Sequence, residues 1–421
     1  MRTKYLKLIQ IVFTILIISG VAIPVYAGRD PGYITITGVV KDIKSKKKLE
    51  YVSISIPGTG IGTISNADGG FSIKIKDSLG VKTLEASHIG YYNQRLALSD
   101  NDMDDVTIFL TPNENKLKEV IVESMDPQKL VETAIMKIAD NNSLSANLLT
   151  GFYRETIKKR RNYINISEAV IDIYKTSYTQ SDAHDKVQVL KGRKLLSPKP
   201  GDTLLVKFVG GPNLSTYLDV VKNKDLMLDK ETLHYYKFKM ENSVMINERP
   251  HYVVSFKPQV ILAYALFDGK LYIDQETLAF SRAEFSLDMN DRNKVTQAIL
   301  RKKPFRLHFK PEEVVYLVTY KEQAGKSYLN YVRNEVRFKC DYKRKLFSTN
   351  YTIVSEMVVT DRQSENVNKI ANKQAFNDRY SLSDKVSNFY DVNFWQGYNI
   401  IEPTESLETA VNKLKKNQNN F

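Results

Sequence analysis

Cysteine and histidine are scarce in this sequence: Cys340 is the single cysteine among 421 residues, and there are five His. That count excludes intramolecular disulfides, cysteine-rich zinc sites and iron–sulfur clusters. Glycine and proline are also few, at 19 and 13, so collagen-like and low-complexity chains are excluded as well. Beyond the amino terminus, no segment approaches the ~20 apolar residues that a membrane-crossing helix needs. Acidic residues are outnumbered, 48 against 61 Lys and Arg, for a net charge of +13. Material for packed cores is plentiful: 42% of residues are hydrophobic, with 25 Tyr and 18 Phe. At ~100 to 200 residues per domain, the length indicates two or three domains.

Arg2, Lys4 and Lys7 precede an apolar run from Leu8 to Ile18, and Val25-Tyr26-Ala27 offers small residues where a signal peptidase reads. Residues 1–27 are therefore predicted to be an export signal peptide and not part of a core. An uncleaved anchor is the competing reading, but Ser19-Gly20 and Pro24 interrupt the stretch. Removing three basic and no acidic residues lowers the net charge from +13 to +10. Gly28, not Cys, stands directly after the cleavage point, so the acylated lipoprotein route is closed.

From residue 34 to 122 the hydrophobic pattern has period two, broken at short intervals, as in a small antiparallel sandwich. Val52, Ile54 and Ile56 alternate with polar neighbours, as do Phe71, Ile73 and Ile75, and Val106, Ile108 and Leu110. Asn66-Ala67-Asp68-Gly69-Gly70 between two of these runs predicts a hairpin turn. Ile36-Thr37-Gly38-Val39-Val40-Lys41-Asp42, Leu49-Glu50-Tyr51-Val52-Ser53-Ile54, Gly62-Thr63 with Asn66 to Ile73, and His88-Ile89-Gly90-Tyr91 together resemble the carboxypeptidase regulatory-like domain. One departure is Asn66, where that family usually has Asp. The resemblance implies a transthyretin-like, seven-stranded sandwich. The same stretch is similar to the segment before the plug of starch-utilisation-type TonB-dependent transporters, with Leu117-Lys118-Glu119-Val120-Ile121-Val122 where that segment ends; here no plug or barrel follows.

The family's name raises a catalytic question that the residues answer. A zinc carboxypeptidase needs His-x-x-Glu plus a distant His, to give the metal neutral imidazoles and a carboxylate. None of His88, His184, His234, His251 or His308 has Glu three residues on, and Pro311 argues against a helix that would bring His308 and Glu312 together. Gly58-Thr59-Gly60-Ile61-Gly62 lacks the spacing of a dinucleotide loop, and neither a P-loop nor a G-x-S-x-G elbow occurs. Cys340 alternates in step with Val336 and Phe338, predicting a buried, inert thiol. No catalytic residue, cofactor or metal ligand is expected.

Asp126-Pro127 predicts a capped linking helix over 126–142, with Leu130, Ala134, Ile135 and Ile138 as its apolar stripe. Covering an open sheet face is the expected use of that stripe. A meander of longer strands follows over 148–365, rich in β-branched and aromatic residues, as suits a large curved antiparallel sheet. Helical patterns interrupt it at Leu214–Val221 and Lys294–Arg301. Gly269-Lys270-Leu271-Tyr272-Ile273-Asp274 followed by Glu276 to Phe285 is similar to a hairpin of lipoprotein-carrier-like half-barrels. Val260 to Phe267 is eight apolar residues in a row, predicting a central strand buried on both faces, with a lipid-facing segment as the alternative. Basic clusters at Lys46–Lys48, Lys158–Arg161, Arg301–Lys303 and Lys343–Lys345 fall mostly between strands. Solvated turns explain them, with an anionic membrane surface as the functional alternative. The export signal argues against nucleic acid.

The tail over 366–421 is predicted to end in a helix that Thr404 caps, with Leu407, Val411 and Leu414 as its stripe. Phe389 to Pro403 is similar to the terminal segment of uncharacterised exported proteins that carry this amino-terminal domain. The expected protein is mainly β, exported to the periplasm or outer membrane of a Gram-negative envelope, and non-enzymatic. Two roles follow from the sequence. In the first, the sandwich is a binding or assembly module for another envelope protein. In the second, the curved sheet carries an apolar ligand, a lipid or lipidated chain, with Tyr264, Phe267, Tyr272 and Phe285 as walls.

Overall fold

The computed structural model describes residues 32–113, 125–180, 184–204, 206–342, 348–388 and 394–419. The expected export signal, the 117–122 segment and the Lys343–Lys345 cluster lie outside them. Seven strands come first: β1 (Tyr33–Asp42), β2 (Ser53–Ser55), β3 (Gly62–Ile64), β4 (Gly70–Lys76), β5 (Thr83–Ser87), β6 (Gln94–Ala97) and β7 (Met103–Leu110). They form two sheets, β4-β1-β7 and β3-β2-β5-β6. Period two produces this sandwich. Phe71, Ile73 and Ile75 of β4 are buried while the intervening residues are not, and they meet Ile36, Ile54 and Leu84 in one core. At the predicted turn, the Asn66 side-chain oxygen accepts from the backbone N–H groups of Asp68 and Gly70 at 2.8 and 2.9 Å. Gly69 sits at φ +72°, and a Cβ there would lie 2.8 Å from the Val40 carbonyl. Only glycine satisfies both constraints.

Asp126 caps the helix Pro127–Met136 by accepting from the N–H groups of Gln128 and Lys129. Leu130, Val131, Ala134 and Ile135 are buried in the core of the second domain. That domain contains β8 (Asn147–Lys159), β9 (Asn162–Lys175), β10 (Lys186–Leu196), β11 (Lys207–Phe208), β12 (Tyr236–Ile246), β13 (Arg249–Pro258), β14 (Phe267–Asp274), β15 (Phe280–Leu287), β16 (Leu300–Lys302), β17 (Leu307–Gln323), β18 (Lys326–Tyr342), β19 (Thr349–Gln363) and β20 (Ser387–Asn388). Apart from the β11–β16 pair, they make one curved sheet ordered β12-β13-β14-β15-β17-β18-β19-β8-β9-β10-β20. Both faces of its middle are covered. On β8, Phe152 and Arg154 point to the outer face while Tyr153 and Ile157 point inward, so the strand is buried from Gly151 to Ile157 without a break.

The sandwich sits on the outer face. Ile64 joins Phe152, Val170, Tyr331 and Val358 in a cluster closed by Trp395 and Ile401, and Tyr51 stacks on Tyr331 at 5.7 Å. Residues 394–404 run between the two domains as a strap. The Ile400 carbonyl accepts from Thr63 at 2.8 Å, and the Ile401 carbonyl accepts from Arg154 at 2.6 Å. Asn66 donates its amide to the carbonyls of Glu402 and Pro403 at 3.1 and 3.0 Å. The strap leads into the helix Glu405–Asn419, whose Leu407 and Leu414 bury against Ile166 and Leu195.

Three expectations need correction. The apolar run Val260–Phe267 is not a central strand: β13 ends at Pro258, β14 begins at Phe267, and the residues between them form a loop. Pairing of Phe256 with Gly269 closes the hairpin too early for the run to find a partner strand. Ile261 is 92% exposed and Tyr264 56%. The helix expected at Leu214–Val221 is Pro212–Tyr217, because Pro212 takes its first position. The one expected at Lys294–Arg301 is Arg292–Ile299, because Asp291 caps it by accepting from Asn293 and Lys294.

Candidate functional site

Between the inner face of the sheet and the segments crossing it lies a cavity of about 460 Å³. Its floor comes from consecutive inward positions: Tyr153, Glu155 and Ile157 of β8, Asn334 and Val336 of β18, Ile353 and Ser355 of β19, and Tyr316 of β17. Leu204, Val206, Phe208, Leu214, Leu218 and Ile299 close the opposite side. Interiors tolerate few voids larger than a water molecule, and this volume falls in the range of small-molecule sites.

A polar cap interrupts the apolar wall. Glu155 is 7% exposed, and burial pushes its carboxyl up to about 7. Tyr153 donates its hydroxyl to Glu155 at 3.2 Å, and the same burial holds that phenol well above its usual range. Asn334 is 6% exposed, and its side-chain oxygen has no hydrogen-bond partner. Ser355, Asn165 and the short turn Leu382–Asp384 complete the cap. A buried polar atom without a partner is costly, so the geometry suits a ligand that is mostly apolar and carries one hydrogen-bonding group.

Of the four expected wall residues, one lines this cavity. Phe267 does, packing edge-on against Phe285 at 5.4 Å. Phe285 stands one layer behind, stacked on Tyr316 at 5.0 Å. Tyr272 is on the other face, because Leu271 and Ile273 take the inward positions beside it; its hydroxyl meets Glu284 at 3.2 Å. Tyr264 belongs to the exposed loop. Alternation alone excludes Tyr272, and Glu155 was detectable as a carboxylate in step with inward Tyr153 and Ile157.

Two buried charged clusters elsewhere are closed. Lys175 is held by Asp185 at 2.6 Å and Asp219 at 2.7 Å, and Asp219 also accepts from Tyr178 and Tyr320. Glu168 binds Arg154 and Arg193 at 2.8 and 2.9 Å. Each member has its partner, which marks these clusters as structural. Cys340 is buried and its thiol is pushed up to about 12 by that burial. No group of three or more His, Cys, Asp or Glu able to hold a metal occurs among the described residues. No helix among them is long and apolar enough to cross a membrane.

Fold and cavity together define a two-domain β protein in which a sandwich backs a curved, cavity-bearing sheet. Residues 36–122 match the family model of the CarboxypepD_reg-like domain, so the amino-terminal domain is of the kind its residues resemble. No curated protein matches the chain. Among solved structures, a domain described as an outer membrane lipoprotein-sorting protein from Vibrio parahaemolyticus is 11% identical, with a TM-score of 0.26 over 58% of this chain and 95% of that one. MucB in complex with MucA(peri) is 11% identical, with a TM-score of 0.18 over 57% and 100%. Lipovitellin is 11% identical, with a TM-score of 0.26 over 60% and 28%. At such scores the likeness is remote, and the function is read from this chain's own residues.

Proposed function

We propose that this protein is a non-catalytic, exported envelope protein that holds an apolar ligand, a lipid or lipidated chain, in the cavity of its curved sheet. The supporting observation is the cavity itself: an apolar volume in the core, capped by Glu155 and the unpartnered oxygen of Asn334. The alternative, an assembly module acting through the sandwich, finds its loops already engaged. Asn66 and Thr63 bind the strap, and Tyr51 stacks on the sheet.

Extracting the protein from its native envelope and analysing what co-purifies tests the reading. One apolar molecule per chain is the expected result, displaceable by a fluorescent acyl probe. The Leu214→Trp variant, which fills the cavity, should bind the probe at least tenfold more weakly while keeping its far-UV circular dichroism. Protein that carries no lipid and shows no saturable probe binding would refute the proposal.

A further inference from the structure

The turns at the two ends of the large sheet differ in kind. Strand order and register put the β8–β9 and β13–β14 turns, the β15–β17 connection and the exit from β10 at one end. Four described segments there, 158–162, 197–204, 257–266 and 288–306, contain twelve Lys and Arg against three Asp. The described turns at the opposite end, taken with one flanking strand residue on each side, carry Lys175, Lys186, Arg249 and Lys326 against Asp185, Glu248, Asp274 and Glu276, and so balance to zero. Positive charge in the turns of the large sheet is therefore concentrated at one end.

The two most exposed large apolar side chains among the described residues, Ile261 and Phe305, lie at the basic end, with Tyr264 near Ile261 in sequence; Leu144 at 59% and Met136 at 58% come next and precede β8. Ile261 is 92% exposed, Phe305 90% and Tyr264 56%. Arg160, Arg161 and Lys302 are exposed and make no ion pair among the described residues. Lone exposed apolar residues are unremarkable. Three in loops at the same end of the sheet as these cations fit an interface in which apolar side chains enter the acyl boundary while cations meet headgroup charge. The ligand cavity reaches this same end. Ile164, Ser197 and Asp202 line both that cavity and a second cleft of about 750 Å³, walled by Lys158, Arg160, Arg161 and Lys413.

We infer that this end of the sheet docks on an anionic lipid bilayer, with Ile261 and Tyr264 inserting and the 158–161 and 301–303 turns lying on the headgroups. The charge sign selects a membrane of anionic lipids, and the loops supply the apolar anchors. The surface stands apart from the cavity proposal: a bilayer could be bound whether or not the cavity is loaded.

The test is co-sedimentation of the purified full chain with vesicles of phosphatidylglycerol and phosphatidylcholine in equal parts, against vesicles of phosphatidylcholine alone. Binding to the first and not the second is expected, weakening as salt rises. Arg160→Glu with Arg161→Glu should lower the partition constant about tenfold or more. Ile261→Ser with Tyr264→Ser should lower it by a similar factor. Glu248→Lys with Glu276→Lys, at the opposite end, should leave it within about twofold. All three variants change exposed positions, and circular dichroism checks that each is folded. Equal binding to both vesicle types, no binding at all, or variants at the two ends shifting binding alike would each overturn the proposal. So would an Ile261/Tyr264 variant that binds as the parent does.

Discussion

Replacing Asn66 by Asp changes one amide nitrogen into an oxygen. The turn survives on paper, because the oxygen accepting from Asp68 and Gly70 is retained. The donor to the Glu402 and Pro403 carbonyls is lost, and a carboxylate faces two carbonyl oxygens instead. Asn66→Asp should therefore cost about 1–3 kcal/mol, read as an earlier denaturation of the strap. The single tryptophan reports it: Trp395 packs edge-on against Phe152 at 5.3 Å and lies under the Arg193 guanidinium, so its fluorescence follows strap release. Glu155 is the other residue whose setting decides its chemistry. Its carboxyl titrates at about 7 in the fold against an ordinary 4.5. The folded state thus holds a proton that the unfolded chain has lost over this window, and Glu155's contribution to stability falls as pH rises from 4.5 to 7. Glu155→Gln should flatten that part of the stability–pH curve and make the variant more stable than the parent at pH 8. An unchanged slope in denaturation series would show that the carboxyl is not held protonated.

Among the elements, the hairpin turn before β4 is tightly constrained by its backbone. Gly69→Val puts a β-branched side chain at φ +72° and its Cβ 2.8 Å from the Val40 carbonyl. A loss of ~1 kcal/mol or more is expected, and an unchanged melting temperature would contradict it. Element existence was legible from alternation and from caps: the strands of the sandwich, the Asp126-capped helix and the long meander all follow from residues close in sequence. Helix starts shifted by two positions where Pro212 as first residue and Asp291 as cap proved stronger start signals than the apolar stripes. The Val260–Phe267 run went wrong for a different reason. A continuous apolar stretch shows that water-facing alternation is absent, but whether a partner strand exists is decided by the register of β13 with β14.

For the whole molecule, the strap is the joint. The sandwich has its own core and the sheet has another. The cluster between them draws Trp395 and Ile401 from residues 394–404. Truncation after residue 393 should leave both cores intact and uncouple them, so calorimetry should resolve two transitions where the full chain shows one. A single transition in the truncated chain would mean that the direct contacts, such as Tyr51 on Tyr331, suffice without the strap.

The sequence by itself determined the β-rich class, the family resemblance of the first domain, the linking helix and the absence of sulfur-based sites, because each depends on composition or on neighbours within a few residues. Tertiary structure alone decided the cavity and its cap. Tyr153, Glu155, Tyr316, Asn334 and Ser355 come from four strands, and their convergence depends on strand order and on which face each pleat presents. The same holds for the role of Asn66: its departure from the family pattern was visible in the sequence, but its two acceptors lie more than 330 residues away. The concentration of positive charge at one end of the sheet likewise appears only once the turns are sorted by the end they leave, since basic and charge-balanced turns are interspersed along the chain and separate in space through antiparallel pairing.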